Sequence, residues 1–219
     1  MSKSLLKTRI IIGRCYLRWR NLFHKGIRFP TYPQAIQKML CFSSDPVRHS
    51  SMALALERIR TDQIPGAIAE IGVHRGTTSE LLHKQLPERM LYLFDTFAGF
   101  PGEDDTRFRN TSIAIVKARL DDIRNVEFRV GVFPETSVGL EGERFSFVLY
   151  DADKHEPAVA ALAFFYPRLS PGGYFVLHDY NSPESDHAVK SAADKFLADK
   201  PERLIELPDV WGTALFRKI

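Results

Sequence analysis

Two apolar runs of strand length end in the same way. Phe147-Val148-Leu149-Tyr150 runs into Asp151-Ala152-Asp153-Lys154-His155, and Tyr174-Phe175-Val176-Leu177 runs into His178-Asp179-Tyr180. A helical stretch and the turn Ser170-Pro171-Gly172-Gly173 separate them. In an open α/β sheet both acidic tips then lie at the carboxyl edge, where ligands bind. Groups of these types handle protons. Asp151, His155 or His178 can accept one from a hydroxyl, and the Lys154 ammonium can stand beside the oxyanion that forms. The plainer alternative is that the aspartates cap turns and His178 is a hydrogen-bonded core imidazole, with Lys154 and His155 in solvent.

A second group lies upstream, where Ala69-Glu70-Ile71-Gly72-Val73-His74-Arg75-Gly76-Thr77-Thr78 carries a strand into a helix. Gly72 permits a sharp turn and close approach of a ligand to the backbone, Gly76 permits a nest-like bend, and Thr77 or Thr78 can cap the helix. Glu70 stands where a dinucleotide-binding loop has its first glycine, which argues against a pyrophosphate ligand. A methionyl zwitterion carrying a sulfonium tolerates an acidic strand end, with Glu70 meeting its amino group or supporting the loop. Asp95 ends the next strand roughly twenty residues on, where a carboxylate can accept ribose hydroxyls. Phe97 or Phe100 is placed to pack on an adenine, and the long loop they begin suits a lid.

These groups need a frame that brings them to one edge. After a helix containing Met52, Leu54, Leu56 and Ile59, the pattern predicts strands at Ala67–Gly72, Met90–Asp95, Val126–Val130, Ser146–Asp151 and Gly173–His178. Helices are expected at Thr77–Leu86, at Ser112–Asp122, after Pro157 with Val159, Leu162 and Phe165 on one side, and at Asp186–Ala198. Such alternation implies a mostly parallel sheet covered on both faces. Two last strands, Leu204–Leu207 and Trp211–Phe216, are joined by too few residues for a parallel crossover and must be antiparallel. The expected fold is α/β: a doubly wound, Rossmann-like sheet with one antiparallel strand near the C-terminus, the methyltransferase variant of that plan.

At 219 residues and 44% apolar, the chain is long enough for one buried domain and too short for two enzyme domains. Cys15 and Cys41 form no disulfide framework or zinc spacing, and no apolar run reaches membrane-span length, so a cytoplasmic protein is expected. Residues 1–30 hold eight Lys or Arg and no Asp or Glu, which leaves the remainder mildly acidic. Residues 1–45 therefore read as a basic amphipathic helical arm before a domain at 46–219. Its apolar residues suit docking on the domain or on a second subunit, hence a homodimer through the arm. Its charge leaves peripheral membrane contact open, whereas nucleic acid is not an expected partner.

Several of these segments resemble a known family. Glu70-Ile-Gly-Val-His-Arg-Gly76, Phe94-Asp-Thr-Phe-Ala-Gly-Phe-Pro101, Asp151-Ala-Asp153 and Tyr166-Pro-Arg-Leu-Ser-Pro-Gly-Gly-Tyr174, ending in His178-Asp179-Tyr180, are similar to the macrocin/mycinamicin sugar O-methyltransferases. The likeness runs through residues 45–217, and Asp151-Ala-Asp-Lys154 is also similar to caffeoyl-CoA and catechol O-methyltransferases. The resemblance implies methyl transfer from S-adenosylmethionine to a hydroxyl of a small molecule, a natural-product sugar or a vicinal diol, assisted by a divalent metal such as Mg²⁺. By position it assigns Asp151, His178 and Asp179 to the metal and Asp151 also to the base. The cofactor side falls on Glu70, Gly72, Arg75, Gly76, Asp95, Thr96 and Phe97. One departure stands out: the family has Asp-Asp where this chain has His178-Asp179, and imidazole suits later transition metals better than Mg²⁺. Two other readings stay open at this point, a nicotinamide-dependent reductase on the same sheet and a non-catalytic cofactor-binding domain recruited by its arm.

Overall fold

The computed structural model describes residues 31–99 and 108–219, together with Ile12, Cys15 and Tyr16. Of the expected arm at 1–45, residues 1–30 apart from those three exposed ones lie outside this range, as do Phe100 and the rest of the expected lid to residue 107. In chain order the α-helices are α1 (Gln34–Cys41), α2 (Pro46–Thr61), α3 (Thr77–Gln85), α4 (Ile113–Leu120), α5 (His155–Phe165) and α6 (Ala188–Leu197). The strands are β1 (Ala67–Ile71), β2 (Leu91–Asp95), β3 (Val126–Val130), β4 (Phe145–Tyr150), β5 (Leu169–Leu177), β6 (Ile205–Glu206) and β7 (Ala214–Arg217). They form one sheet in the order β3-β2-β1-β4-β5-β7-β6, parallel from β3 to β5, with β7 antiparallel to both its neighbours. This is the doubly wound plan with its antiparallel strand. No helix among the described residues is long and apolar enough to cross a membrane.

Burial on both faces explains why the central strands read as continuous apolar runs. Tyr92, Phe94, Val148, Tyr150, Phe175 and Leu177 point to the layer of α5 and α6, where they meet Leu162, Phe165 and Val189. The alternate residues Leu91, Leu93, Phe147, Leu149 and Val176 point to α1, α2, α3 and α4, where they meet Met52, Leu56, Ile59 and Leu82. Ile36 and Leu40 bring α1 into this second cluster, so this helix of the N-terminal segment is packed into the domain, against α2 and α3.

Three local features differ from the expectation. β5 begins at Leu169, because the predicted turn at Pro171-Gly172 is an irregularity within the strand: Leu169 pairs with Phe145, and pairing resumes at Tyr174 with Phe147. Trp211-Gly212-Thr213 is turn rather than strand, with Gly212 at φ +70° against Asn181 and the Thr213 amide donating to Asp209. Neither Thr77 nor Thr78 caps α3; Gly76 occupies that position at φ +73°, and Thr78 faces His49 instead.

The parallel register places the chemistry. Ile71 pairs with Phe94 and Tyr150, and Tyr150 with Leu177, so Gly72, Asp95, Asp151 and His178 form one row just past the paired edge. β1 and β4 are the strands between which the order reverses, the position where open α/β sheets bind ligands. Gly72, at φ +92°, passes so near β4 that a Cβ there would lie 2.1 Å from the Asp151 carbonyl oxygen. Gly72→Ala should therefore cost about 3 kcal/mol or more, combining left-handed strain with a backbone clash. Gly139→Ala, at φ +86° with open space around it, should cost only about 1–2 kcal/mol. Urea unfolding of both variants checks the difference, and equal losses would show that the close approach at Gly72 is not what matters.

Candidate active site

The cofactor side is built around Asp95. Its Oδ2 accepts from the backbone amides of Val73 and His74, both at 2.8 Å, and its Oδ1 accepts from the Phe97 amide at 2.7 Å. The carboxylate thus ties the glycine turn after β1 to the loop after β2. A carboxylate has about four acceptor positions, so Asp95 keeps one for a ligand hydroxyl, on Oδ1. Thr96 stays within its own loop, donating to the Gly99 carbonyl at 2.6 Å, and Phe97 is buried at φ +54° against Phe128. Arg75 is exposed, and its carbonyl accepts from Arg119.

Glu70 lies beneath this loop, 1% exposed, where it accepts a hydrogen bond from Ser79 at 2.5 Å. Burial pushes its carboxyl well above the usual range. Its side chain is enclosed under the turn and bonded within the protein.

Across the reversal point, Asp151, Asp153, His178 and Asp179 converge, each offering a ligand atom within 4.8 Å of the others. His178 Nδ1 stands 2.5 Å from Asp179 Oδ2 and 3.2 Å from Asp151 Oδ1. Asp153 and Asp179 both belong to this group, and both sit at left-handed φ, +57° and +56°. Burial, reinforced by Asp179, pushes Asp153 up to about 9, and burial pushes Asp179 up to about 7. Burial opposes the charge of Asp151 as well, but His178 and Arg48 outweigh it and hold that carboxyl below its ordinary range. The structure therefore brings the three anticipated metal-side residues together. Lys154 has its backbone pinned by the Tyr150 hydroxyl, and the His155 imidazole pairs with Glu156 at 2.9 Å on the first turn of α5, outside the convergent group.

Two participants escape sequence reasoning. Asp153 belongs to the convergent group, and Arg48 reaches it from α2. Asp45 caps α2 by accepting from the Arg48 amide, Pro46 follows as the first helical residue, and the Arg48 side chain, 8% exposed, donates from Nη1 to Asp151 Oδ2 at 2.8 Å. Burial works against that guanidinium's charge, yet Asp151 and Asp45 more than restore it. Next to it, burial and Arg48 push His49 down to about 3, so this imidazole is neutral, bonded to Ser43 Oγ at 2.5 Å. The readable signal was the Ser-Asp-Pro cap ahead of Arg48; its partner 103 residues away was not readable.

A divalent metal fits these residues on the evidence of the donors themselves. Asp151, Asp153 and Asp179 offer carboxylate oxygens and His178 a ring nitrogen, and Arg48 is hydrogen-bonded to the group through Asp151. That cation uses one oxygen of Asp151 and leaves Oδ1 facing the others. Breaking a buried pair of this kind costs about 3–5 kcal/mol because it strands a charge. Arg48→Met should lose stability on that scale, and the loss should shrink when Asp151→Asn is already present. A double-mutant cycle by chemical denaturation measures this; additive losses would mean that the two side chains do not act as a unit.

Comparison with known proteins agrees with this geometry. Residues 45–211 match the family model described as macrocin O-methyltransferase (TylF). A tetracenomycin-C rhamnosyl 4'-O-methyltransferase of Streptomyces olivaceus is 28% identical, over 90% of this chain and 87% of that one. The mycinamicin III 3''-O-methyltransferase of Micromonospora griseorubida is 29% identical over 68% of each chain. The solved O-methyltransferase NovP shares the fold with a TM-score of 0.68 at 19% identity, covering 97% of this chain and 99% of its own. An O-methyltransferase from Bacillus cereus in complex with SAH superposes at 0.59 with 12% identity, covering 94% and 100% of the two chains. The chain belongs to the macrocin O-methyltransferase family and is an S-adenosylmethionine-dependent O-methyltransferase.

Proposed function

We propose that the acceptor is a hydroxyl on the sugar of a natural product, or a comparable vicinal diol, and that a divalent metal held by Asp151, Asp153, His178 and Asp179 assists its methylation. The observation that carries this reading is the meeting, across the β1/β4 reversal, of the Asp95-clamped glycine turn with the convergent acidic group. One named relative is a methyltransferase of a rhamnosyl-tetracenomycin and the other of mycinamicin III, which supports the substrate class.

In this mechanism the sulfonium cofactor supplies an electrophilic methyl for in-line displacement, and the metal, when bound, lowers the pKa of the acceptor hydroxyl. The chain's own part is positioning. Asp95 holds the amides of Val73, His74 and Phe97 and offers Oδ1 to one ribose hydroxyl, while Gly72 and Gly76 supply the positive φ and the close packing against Asp151 and Val116 that shape the turn offered to the methionyl tail. Asp151, fixed by Arg48, presents Oδ1 toward the acceptor side and is the group placed to take the hydroxyl proton. Lys154 and His155 are left to the rim, in contact with parts of the acceptor away from the reacting oxygen.

Calorimetry with S-adenosylhomocysteine should show binding and NADH should show none. Asp95→Asn should weaken the former by about tenfold or more, since it replaces one acceptor oxygen with an amide. An unchanged affinity in the variant removes Asp95 from the ribose site, and NADH binding without the sulfur cofactor defeats the whole reading. Turnover of hydroxyl acceptors separates an enzyme from a binding module.

Residues 1–30 we assign to self-association of a cytoplasmic dimer, on the ground that the segment is both basic and apolar while α1 already packs into the domain. Deleting residues 1–30 should halve the mass measured by light scattering. An unchanged mass together with lost vesicle binding would instead assign the segment to a membrane surface.

A further inference from the structure

We infer that the metal centre of this chain selects a first-row transition dication over Mg²⁺, because His178 sets an imidazole nitrogen among its carboxylates. The inference rests on the metal-assisted reading above and adds the class of ion.

The ring does not behave as a core histidine. His178 is 5% exposed, and its Nδ1 lies within reach of two carboxylates, Asp179 Oδ2 at 2.5 Å and Asp151 Oδ1 at 3.2 Å. Its Nε2 is buried without a hydrogen-bond partner among the described residues. The nitrogen turned toward the carboxylates is Nδ1, one of the ligand atoms that the group brings within 4.8 Å of one another, and its lone pair is the one an ion among them would meet.

Arg48 strengthens the case. Its guanidinium takes Asp151 Oδ2 at 2.8 Å, which leaves that residue one free oxygen and places a permanent positive charge beside the group. Mg²⁺ relies on hard oxygen ligands and net negative charge, both of which are reduced here. Ions such as Co²⁺, Fe²⁺ or Zn²⁺ gain from the nitrogen what they lose in charge. Such ions bind more tightly than Mg²⁺ to most sites, so the diagnostic quantity is the part of the preference that depends on His178.

The test titrates CoCl2 and MgCl2 calorimetrically into the tag-free, chelator-treated full-length protein, its His178→Asp variant and its His178→Asn variant. The Co²⁺/Mg²⁺ affinity ratio should fall about tenfold or more in the variants, and the visible absorption of bound Co²⁺ should change with the loss of nitrogen. Should the extra carboxylate of His178→Asp prevent folding, the neutral Asn variant decides. A ratio unchanged within about threefold, or no ion bound by the parent, overturns the inference. S-adenosylhomocysteine titrated into the same samples keeps the two claims apart: its binding without metal selectivity defeats only this inference, whereas its failure to bind defeats the methyl-transfer reading as well.

Discussion

The hydrogen-bonded ion pair between Arg48 and Asp151 joins the helix ahead of the sheet to the tip of its central strand. A pair this buried gains little over apolar side chains of the same volume, because both ions surrender their hydration. What it supplies is placement. With Oδ2 held by the guanidinium, Asp151 has a single orientation, and Oδ1 faces His178. The helix that carries Arg48 is in turn fixed by Met52, Leu56 and Ile59 in the apolar layer under the sheet. The position of this carboxylate oxygen is thus referred back to close-packed hydrophobic contacts, which deform little.

The carboxylates of the cleft share one chemistry and differ by surroundings. Glu70, sealed beneath the turn, is pushed well above the usual range by burial and accepts from Ser79. Asp95, partly open, accepts three backbone amides and organises two loops. Burial pushes Asp153 and Asp179 up, whereas His178 and Arg48 hold Asp151 below its ordinary range. Similar side chains therefore differ according to the burial, charges and donors each one meets.

The mostly parallel doubly wound plan, its antiparallel strand and the convergence of Asp151, His178 and Asp179 were legible in the sequence because each depends on local pattern: alternation of element types, short linkers, and apolar runs cut off by acid. Arg48 was not legible. Its helix buries Arg48, His49 and Ser50 alongside Met52 and Leu56, which blurs the apolar stripe, and a polar residue in a first turn reads as solvated. The β5 irregularity was hidden for a related reason, since Pro171-Gly172 signals a turn whether or not the flanking residues remain paired. Asp95 was recognised by its place at a strand tip, but three of its acceptor positions serve the protein's own amides, a distribution that depends on how two loops meet.

The contact between Gly72 and Asp151 bears on the reaction itself. Both sides of the cleft pass through it: the glycine turn after β1 and the strand end that carries Asp151 meet backbone to backbone, with no room for a side chain between them. In-line transfer needs the reacting atoms about 3–3.5 Å apart and aligned, so an error in the spacing of β1 and β4 would be transmitted directly to the chemistry. The amide of Asp151 donates to the Ile71 carbonyl at 2.7 Å and that of Gly72 to the Phe94 carbonyl at 2.9 Å, which locks the three strand tips in sequence. The separation between the two halves of the site is therefore a property of the sheet's hydrogen-bonded edge, and substrate choice is left to the segments that close over it.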